Sequence, residues 1–227
     1  MEELHHIVSI IALTMGVAWA SGINLYASIL MLGLLGAAGS VSLPPDLQIL
    51  TNPLVIIAAG FMYVVEFVAD KIPGVDSGWD ALHTFIRIPA GAILAVGAVG
   101  RVDPAVALAA AIVGGCLAAG SHATKAGTRV LINTSPEPFS NWIASVSEDF
   151  LVIGGLWSAL YHPWLFLALL AGFILLMIWL LPRLWRGIKK VFGFFGRLFG
   201  RTQSEATTRM DPMPRAPTKN GDQARRE

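Results

Sequence analysis

The sequence predicts an all-α, polytopic membrane bundle of about six transmembrane helices, and three observations carry that prediction. Of the 227 residues, 55% are hydrophobic and only 14% are charged, with a mean hydropathy of +0.64, far from the charged surface of a water-soluble domain of this length. Apolar windows of about 20 residues, the length that crosses the hydrocarbon, recur along the chain. Acidic and basic residues nevertheless stand inside these windows, once in each half: Glu66, Asp70, Lys71 and Arg87, then Lys125, Arg129, Glu148 and Asp149. A charge at mid-bilayer costs about 2.5–3.5 kcal/mol even on the insertion scale, so several kept together mark a polar interior that is in use.

The N-terminus lacks a positively charged region, and its apolar run continues to Leu35 without a small-residue cleavage pattern. It reads as a retained membrane helix rather than a signal peptide. The first span, residues 7–35, is uncharged but places Ser21, Asn24, Tyr26 and Ser28 near its middle; Pro44 and Pro45 end it. The second, residues 53–69, closes in an acidic segment where Pro73 and Gly74 break the helix. The third starts with Ser77 as N-cap and Asp80 completing a capping-box-like pair, carries His83 and Arg87, and is apolar from Ile88 to Gly100. The fourth, residues 105–132, is rich in Ala and Gly, which let helices approach closely, and holds Ser121, His122, Lys125 and Arg129 in its second half. Cys116 lies there as a small buried residue and, being the only cysteine, forms no internal disulfide. Residues 133–140, with Pro136 and Pro138, read as a turn, and spans five and six cover 141–161 and 164–181 on either side of His162-Pro163.

This gives a transmembrane domain over 1–182 with halves at about 6–100 and 103–182, a basic amphipathic interfacial helix over 183–200, and a disordered polar tail over 201–227. Six spans divide as three plus three, and the small-polar segment 20–24 parallels 118–122, the pattern of an inverted repeat with its site near the midplane. The stretches 70–87 and 134–149 each begin near Pro or Gly beside charges, as broken or re-entrant segments do. The cations behind Leu181 belong to the cytoplasmic side, and an even number of spans puts the N-terminus there as well.

Glu66 and Asp70, four apart, share a helix face and can bind a cation or share a proton; pairing with Lys71 and Arg129 is the structural alternative. Glu148 and Asp149 are adjacent and diverge by about 100°, so one faces the interior and the other a neighbouring helix. Lys125 and Arg129 share a face with His122 and can attract an anion, a lipid phosphate included, or else pair with Glu148 or Asp149. His122 is a candidate proton relay, and Asn24 lines the cavity. Enzyme readings find no H-E-x-x-H pair and no G-x-S-x-G elbow, and Ser121 beside His122 cannot form a nucleophile–base pair within one helix. No cofactor is expected, and the identity of any metal is left open.

The runs S-G-I-N-L-Y at 21–26, E-F-V-A-D-K-I-P at 66–73, H-T-F-I-R-I-P-A-G-A at 83–92, and K-A-G-T-R with N-T-S-P-E-P between 125 and 138 together resemble the bacterial membrane-protein family known as domain of unknown function 4126, over about residues 8–180. That family carries no settled activity. Glu66, Asp70 and Lys71 are also similar to the E-x-G-D-K signature of cation and proton exchangers in the lysine-exporter superfamily, although here the acids are four apart and the glycine is missing. The function expected is a small secondary transporter, a homodimer in the lipid bilayer, with Glu66, Asp70, Glu148, Asp149 and Asn24 at an ion site and Lys71, Arg87, His122, Lys125 and Arg129 as charge partners or anion ligands. A lipid-handling protein and a non-transporting scaffold are the alternatives; nucleic acid is not an expected partner.

Overall fold

The structure, a computed structural model, describes residues 1–134 and 138–208. Its described elements are α1 (Glu2–Ala37), a 3-10 helix (Pro45–Thr51), α2 (Pro53–Ala69), α3 (Val75–Val99), α4 (Pro104–Ile132), α5 (Pro138–Tyr161) and α6 (Pro163–Thr208), with no strand among them. Five helices are long and apolar enough to cross a bilayer, and the 3-10 helix with α2, bent by 67°, makes a sixth candidate. Two units divide at Ile188; the first, Met1–Ile188, holds the packing described below. The second contains the end of α6, whose helix is continuous to Thr208 and so overlaps the start of the expected tail at 201–208. The rest of the expected tail, 209–227, lies outside the described residues.

Helix starts follow from their caps. Asn52 Oδ1 accepts from the Leu54 N–H at 2.9 Å and Asp103 Oδ1 from the Ala105 N–H at 2.8 Å, each followed by a proline whose missing N–H costs nothing in the first turn. Ser77 does not cap α3. The helix begins after Gly74, whose φ of +85° reverses the chain, and Asp76 Oδ1 accepts from the N–H groups of Gly74 and Ser77. Asp80 is thereby released from capping and turns inward.

The decisive break lies inside α1. Asn24 has φ −146° and ψ 95°, far from helical values, and interrupts the ladder. A straight helix of 36 residues would extend about 54 Å. Instead, Leu43 and Pro44, just beyond the end of α1, line a cleft of about 420 Å³ with His6 and Leu13 from its beginning. The Tyr161 hydroxyl donates to the Ser40 carbonyl at 3.4 Å, while Ala159 sits beside Gly16. Both ends of α1 therefore meet at one end of the bundle, and the chain doubles back at Asn24. The expected breaks at 70–87 and 134–149 are not where the long helices are interrupted: residues 70–74 are a short turn, and α5 runs without interruption from Pro138. α4, the expected counterpart of α1 in an inverted repeat, is unbroken, so the two halves differ at the position where they were to correspond.

The bundle is inverted in polarity relative to a soluble domain. Phe85, Leu54, Phe139 and Phe150 are exposed, whereas Glu66, Asp76, Arg87 and Arg129 are completely buried. Cys116, expected to be buried, is exposed among the apolar side chains of α4. Helices α1, α3 and α4 approach through small residues. Gly22 lies so near α4 that a Cβ would stand 2.0 Å from Ser121 Oγ and 2.3 Å from the Ala118 carbonyl; at Gly91 it would stand 2.5 Å from the Ala118 Cβ. From its start beside Trp19, where Phe166 and Phe173 pack edge-on against the indole, α6 runs to Leu184 beside Gly127, at the opposite end of the unit from His6.

Gly22→Ala is expected to lower thermal stability in detergent, because backbone cannot retreat from the new methyl; an overpacking cost of about 1–3 kcal/mol follows. Gly172→Ala, which meets nothing within 4 Å, should leave the unfolding temperature unchanged or slightly raised.

Candidate functional site

Four carboxylates and three cations meet inside the bundle: Glu66 and Asp70 from α2 and its C-cap, Asp80 and Arg87 from α3, Lys125 and Arg129 from α4, and Glu148 from α5. The spacing that assembles them is helical. Asp76, Asp80, His83 and Arg87 fall at i, i+4, i+7 and i+11, one stripe of α3, and His122, Lys125 and Arg129 form a similar stripe on α4. These stripes face each other across the tightly packed α1, α3 and α4.

Lys125 is the hub. Its ammonium donates to Asp70 Oδ2 at 2.8 Å, to the Ile23 carbonyl at 3.1 Å and to Glu66 Oε1 at 3.3 Å, with Glu148 Oε2 at 3.3 Å and Asp80 Oδ1 at 3.8 Å. The bond to Ile23 explains how the break in α1 survives at membrane depth. In an unbroken helix the Ala27 N–H would bond the Ile23 carbonyl; here Asn24 Oδ1 takes that N–H at 2.9 Å, and Lys125 takes the carbonyl. The Asn24 amide also donates to Asp149 Oδ1 at 3.0 Å, which pins α5 to the break.

Arg87 pairs with Glu66 through Nη2 and with Asp80 Oδ1 through Nη1 at 3.1 Å. Nη1 also donates to His122 Nδ1 at 3.2 Å. Since a guanidinium can only donate, His122 Nδ1 is an acceptor and the ring is held neutral, its other proton on Nε2 directed at Thr84 Oγ1, 2.8 Å away. Thr84 in turn donates to the Asp80 carbonyl. This arrangement fixes His122 as a hydrogen-bonding strut between Arg87 and Thr84. His83 is set in the same way: Nδ1 donates to the Trp79 carbonyl at 2.9 Å, leaving Nε2 to accept from the Tyr26 hydroxyl at 3.1 Å.

Arg129 uses four of its five N–H donors, and Nη2 also stands 3.6 Å from Asp70 Oδ2. Nε and Nη2 grip Glu148 as a fork at 3.2 and 2.7 Å, and Nη1 donates to the carbonyls of Asp70 and Asn141 at 2.9 and 3.1 Å. Neither Lys125 nor Arg129 is left open to an anion. Lys71 lies outside the cluster: its ammonium rests 2.9 Å from the Phe67 ring centroid and donates to the Phe67 carbonyl and Ser145 Oγ. Of the expected acids, Glu66, Asp70 and Glu148 converge on Lys125, while Asp149 diverges to Asn24, as adjacent positions on a helix require.

Beyond Arg129 the polar interior continues. The Asn133 amide donates to both oxygens of the fully buried Asp76 at 2.7 and 2.9 Å, and Asn141 donates to Asn133 Oδ1 at 2.7 Å. Arg87 stands midway along α3 and Arg129 in the last turn of α4, so the polar column runs from the middle of the bundle to its α4–α5 end. Towards the other end the interior is apolar, with Val17, Ala18, Leu94, Ala95 and Leu117 buried. Sequence reading missed Asp76, Asp80, Asn133 and Asn141 as members of the column. The i, i+4, i+7, i+11 stripe on α3 was the signal for the first two; nothing in the sequence links the two asparagines, which flank a turn, to an acid on another helix.

Three carboxylate oxygens, Glu66 Oε2, Asp70 Oδ1 and Asp80 Oδ2, are buried without a hydrogen-bond partner. With the Lys125 ammonium at the point where the carboxylates converge, no group of three His, Cys, Asp or Glu side chains among the described residues is arranged to hold a metal ion. With every group ionised, four acids against three bases leave one excess negative charge, which one proton or one monovalent cation would neutralise.

A family model described as Domain of unknown function (DUF4126) matches residues 11–183 and so covers the network from Asn24 to Asp149. No curated protein and no solved structure matches the chain, and nothing in these comparisons extends the likeness to the lysine-exporter superfamily.

Arg129→Ala should cost about 3–5 kcal/mol of stability in detergent, since it strands Glu148 and two backbone carbonyls away from water. Arg129→Lys should recover only part, because an ammonium cannot reproduce the fork. Arg183→Ala, whose exposed guanidinium lies over Trp179, should change stability by less than about 1 kcal/mol.

Proposed function

The chain belongs to the DUF4126 family, which brings no activity with it, and we propose from its own residues that it is a small secondary transporter coupled to a proton or cation rather than an enzyme. The observation that carries this reading is the buried ionic cluster with one more carboxylate than cation, at the inner end of a polar column and beneath an apolar layer. Such an arrangement is open by polar groups to one side and sealed by apolar packing towards the other, the asymmetry that alternating access exchanges. Glu66, Asp70, Asp80 and Glu148 supply the ion site, and Asn24 and Asp149 hold the broken helix against it. Lys125, Arg87 and Arg129 balance its charge. A lipid-headgroup path past Lys125 and Arg129 is disfavoured, because both are saturated by carboxylates and carbonyls.

The reversal at Asn24 changes the expected topology. With both ends of α1 at the end of the bundle that holds His6 and Tyr161, and α6 descending to the other end, the N-terminus and residues 183–188 belong to opposite faces. The face with Lys71, Arg129, Arg183 and Arg186 carries more cations than the other, which holds Arg101, and is assigned to the cytoplasm in this reading; the first residues and the loop 38–52, without Lys or Arg, are then external. A homodimer in the bacterial inner membrane completes the reading, and crosslinking in native membranes reports on the dimer.

Proteoliposomes holding an internal pH dye should acidify or alkalinise when challenged with the right cation, and Glu66→Gln should abolish the change. If Glu66→Gln and Asp70→Asn both leave transport intact, the site is wrongly assigned. Cysteines introduced at Glu3 and Arg186, in a Cys116→Ser background, should react with membrane-impermeant maleimide from opposite sides of the membrane.

A further inference from the structure

Lys125 stands where a free cation would stand in an oxygen-lined site. Five oxygens surround its Nζ at 2.8–3.8 Å, from Ile23, Glu66, Asp70, Asp80 and Glu148, and they come from four different helical elements. The carriers Glu66, Asp70 and Asp80 are at most 3% exposed, and each has a second oxygen with no partner. The other charged or titratable groups bearing on the ammonium are His83 and Arg87 on α3, His122 and Arg129 on α4, and Asp149 on α5. Resting on the transporter reading above, we infer that the Lys125 ammonium is the tethered occupant of a monovalent-cation site, and that a cation of ammonium size, ammonium itself or potassium, replaces it in exchange for one proton.

The size follows from the distances. Magnesium needs oxygens at about 2.0–2.1 Å and calcium at about 2.3–2.6 Å, so a shell wide enough for an ammonium is too wide for either. The exchange follows from space. The oxygens that would ligate the newcomer are those the ammonium holds, and two unit charges cannot share them at that separation. As the cation enters, one Nζ–H bond breaks, the electron pair stays on nitrogen, and the proton leaves along the polar column to water. The charge of the cluster is the same before and after, so the exchange is one-for-one and electroneutral.

The test is cation-dependent thermal unfolding of the full-length protein in detergent, with potassium, ammonium, lithium or choline chloride at equal ionic strength and across pH. The wild type should be stabilised by potassium or ammonium and not by lithium or choline, with apparent affinity rising on the order of tenfold per pH unit, the slope of one proton competing with one cation. Lys125→Ala should bind the same cation tightly and without that slope. Lys125→Arg, which stays charged, should fold and show no cation response. It keeps the proposal testable if Lys125→Ala does not fold. Stabilisation of Lys125→Arg equal to the wild type, or an unchanged pH slope in Lys125→Ala, would overturn the role of the lysine; either leaves carboxylate-based transport standing, since proton flux that depends on Glu66 is a separate reading. Absence of any cation-specific stabilisation in the wild type at all pH values overturns the site itself. The responses to ammonium and to potassium separate the two candidate ions.

Discussion

The structure depends on one ammonium group. Lys125 reaches carboxylates from α2, α3 and α5 and the carbonyl that α1 gives up at Asn24, so a single side chain closes contacts between α4 and four other elements. In a lipid-surrounded bundle, burial of apolar area does little to choose one arrangement of helices over another, because acyl chains are as apolar as leucine. Polar contacts that have no alternative partner in hydrocarbon make that choice instead. Four acids gathered at one point would repel one another strongly; with Lys125, Arg87 and Arg129 among them they become the reason the helices sit where they do.

The small residues and the charges divide the work along the helix axes. Towards the end that holds His6, Gly91 and Gly114 let the backbones of α1, α3 and α4 approach closely. Near the α4–α5 end, arginine and lysine side chains occupy the space between the same helices. Close backbone packing thus holds the helices together in one part of the bundle and hydrogen-bonding side chains hold them in the other. Arg87 and His122 join the two regions: the guanidinium donates to the imidazole, the imidazole to Thr84, and the hydroxyl back to the Asp80 carbonyl.

Much of this was legible in the sequence, and the failures have physical causes. Composition and apolar windows yielded the helical membrane class because hydrocarbon imposes its length on every span. The charged residues that converge were nearly all identifiable, since a charge inside an apolar window is costly wherever it occurs. Their pairing was not: Glu66 partners Arg87 and Lys125 rather than Lys71, because pairing is decided by which helix faces which. Asp80 fits both a cap near a helix start and the inward stripe, and only packing against α4 selects the second. The reversal at Asn24 has no signature in the sequence. A single asparagine in an apolar run is common in helices, and what makes this one a break is a lysine 101 positions away that stabilises the freed carbonyl.

That separation bears on how the chain is assembled. The ribosome releases α1 long before α4, and until Lys125 arrives the Ile23 carbonyl has no partner except water or the next turn of an uninterrupted helix. The second half of α1, residues 25–37, is about 20 Å long and too short to be held across the hydrocarbon by its own hydropathy. The N-terminal third therefore enters the membrane in a provisional form and reaches its final path only when the C-terminal half is in place, so that the orientation of the first residues is a property of the finished bundle rather than of the first segment to be inserted.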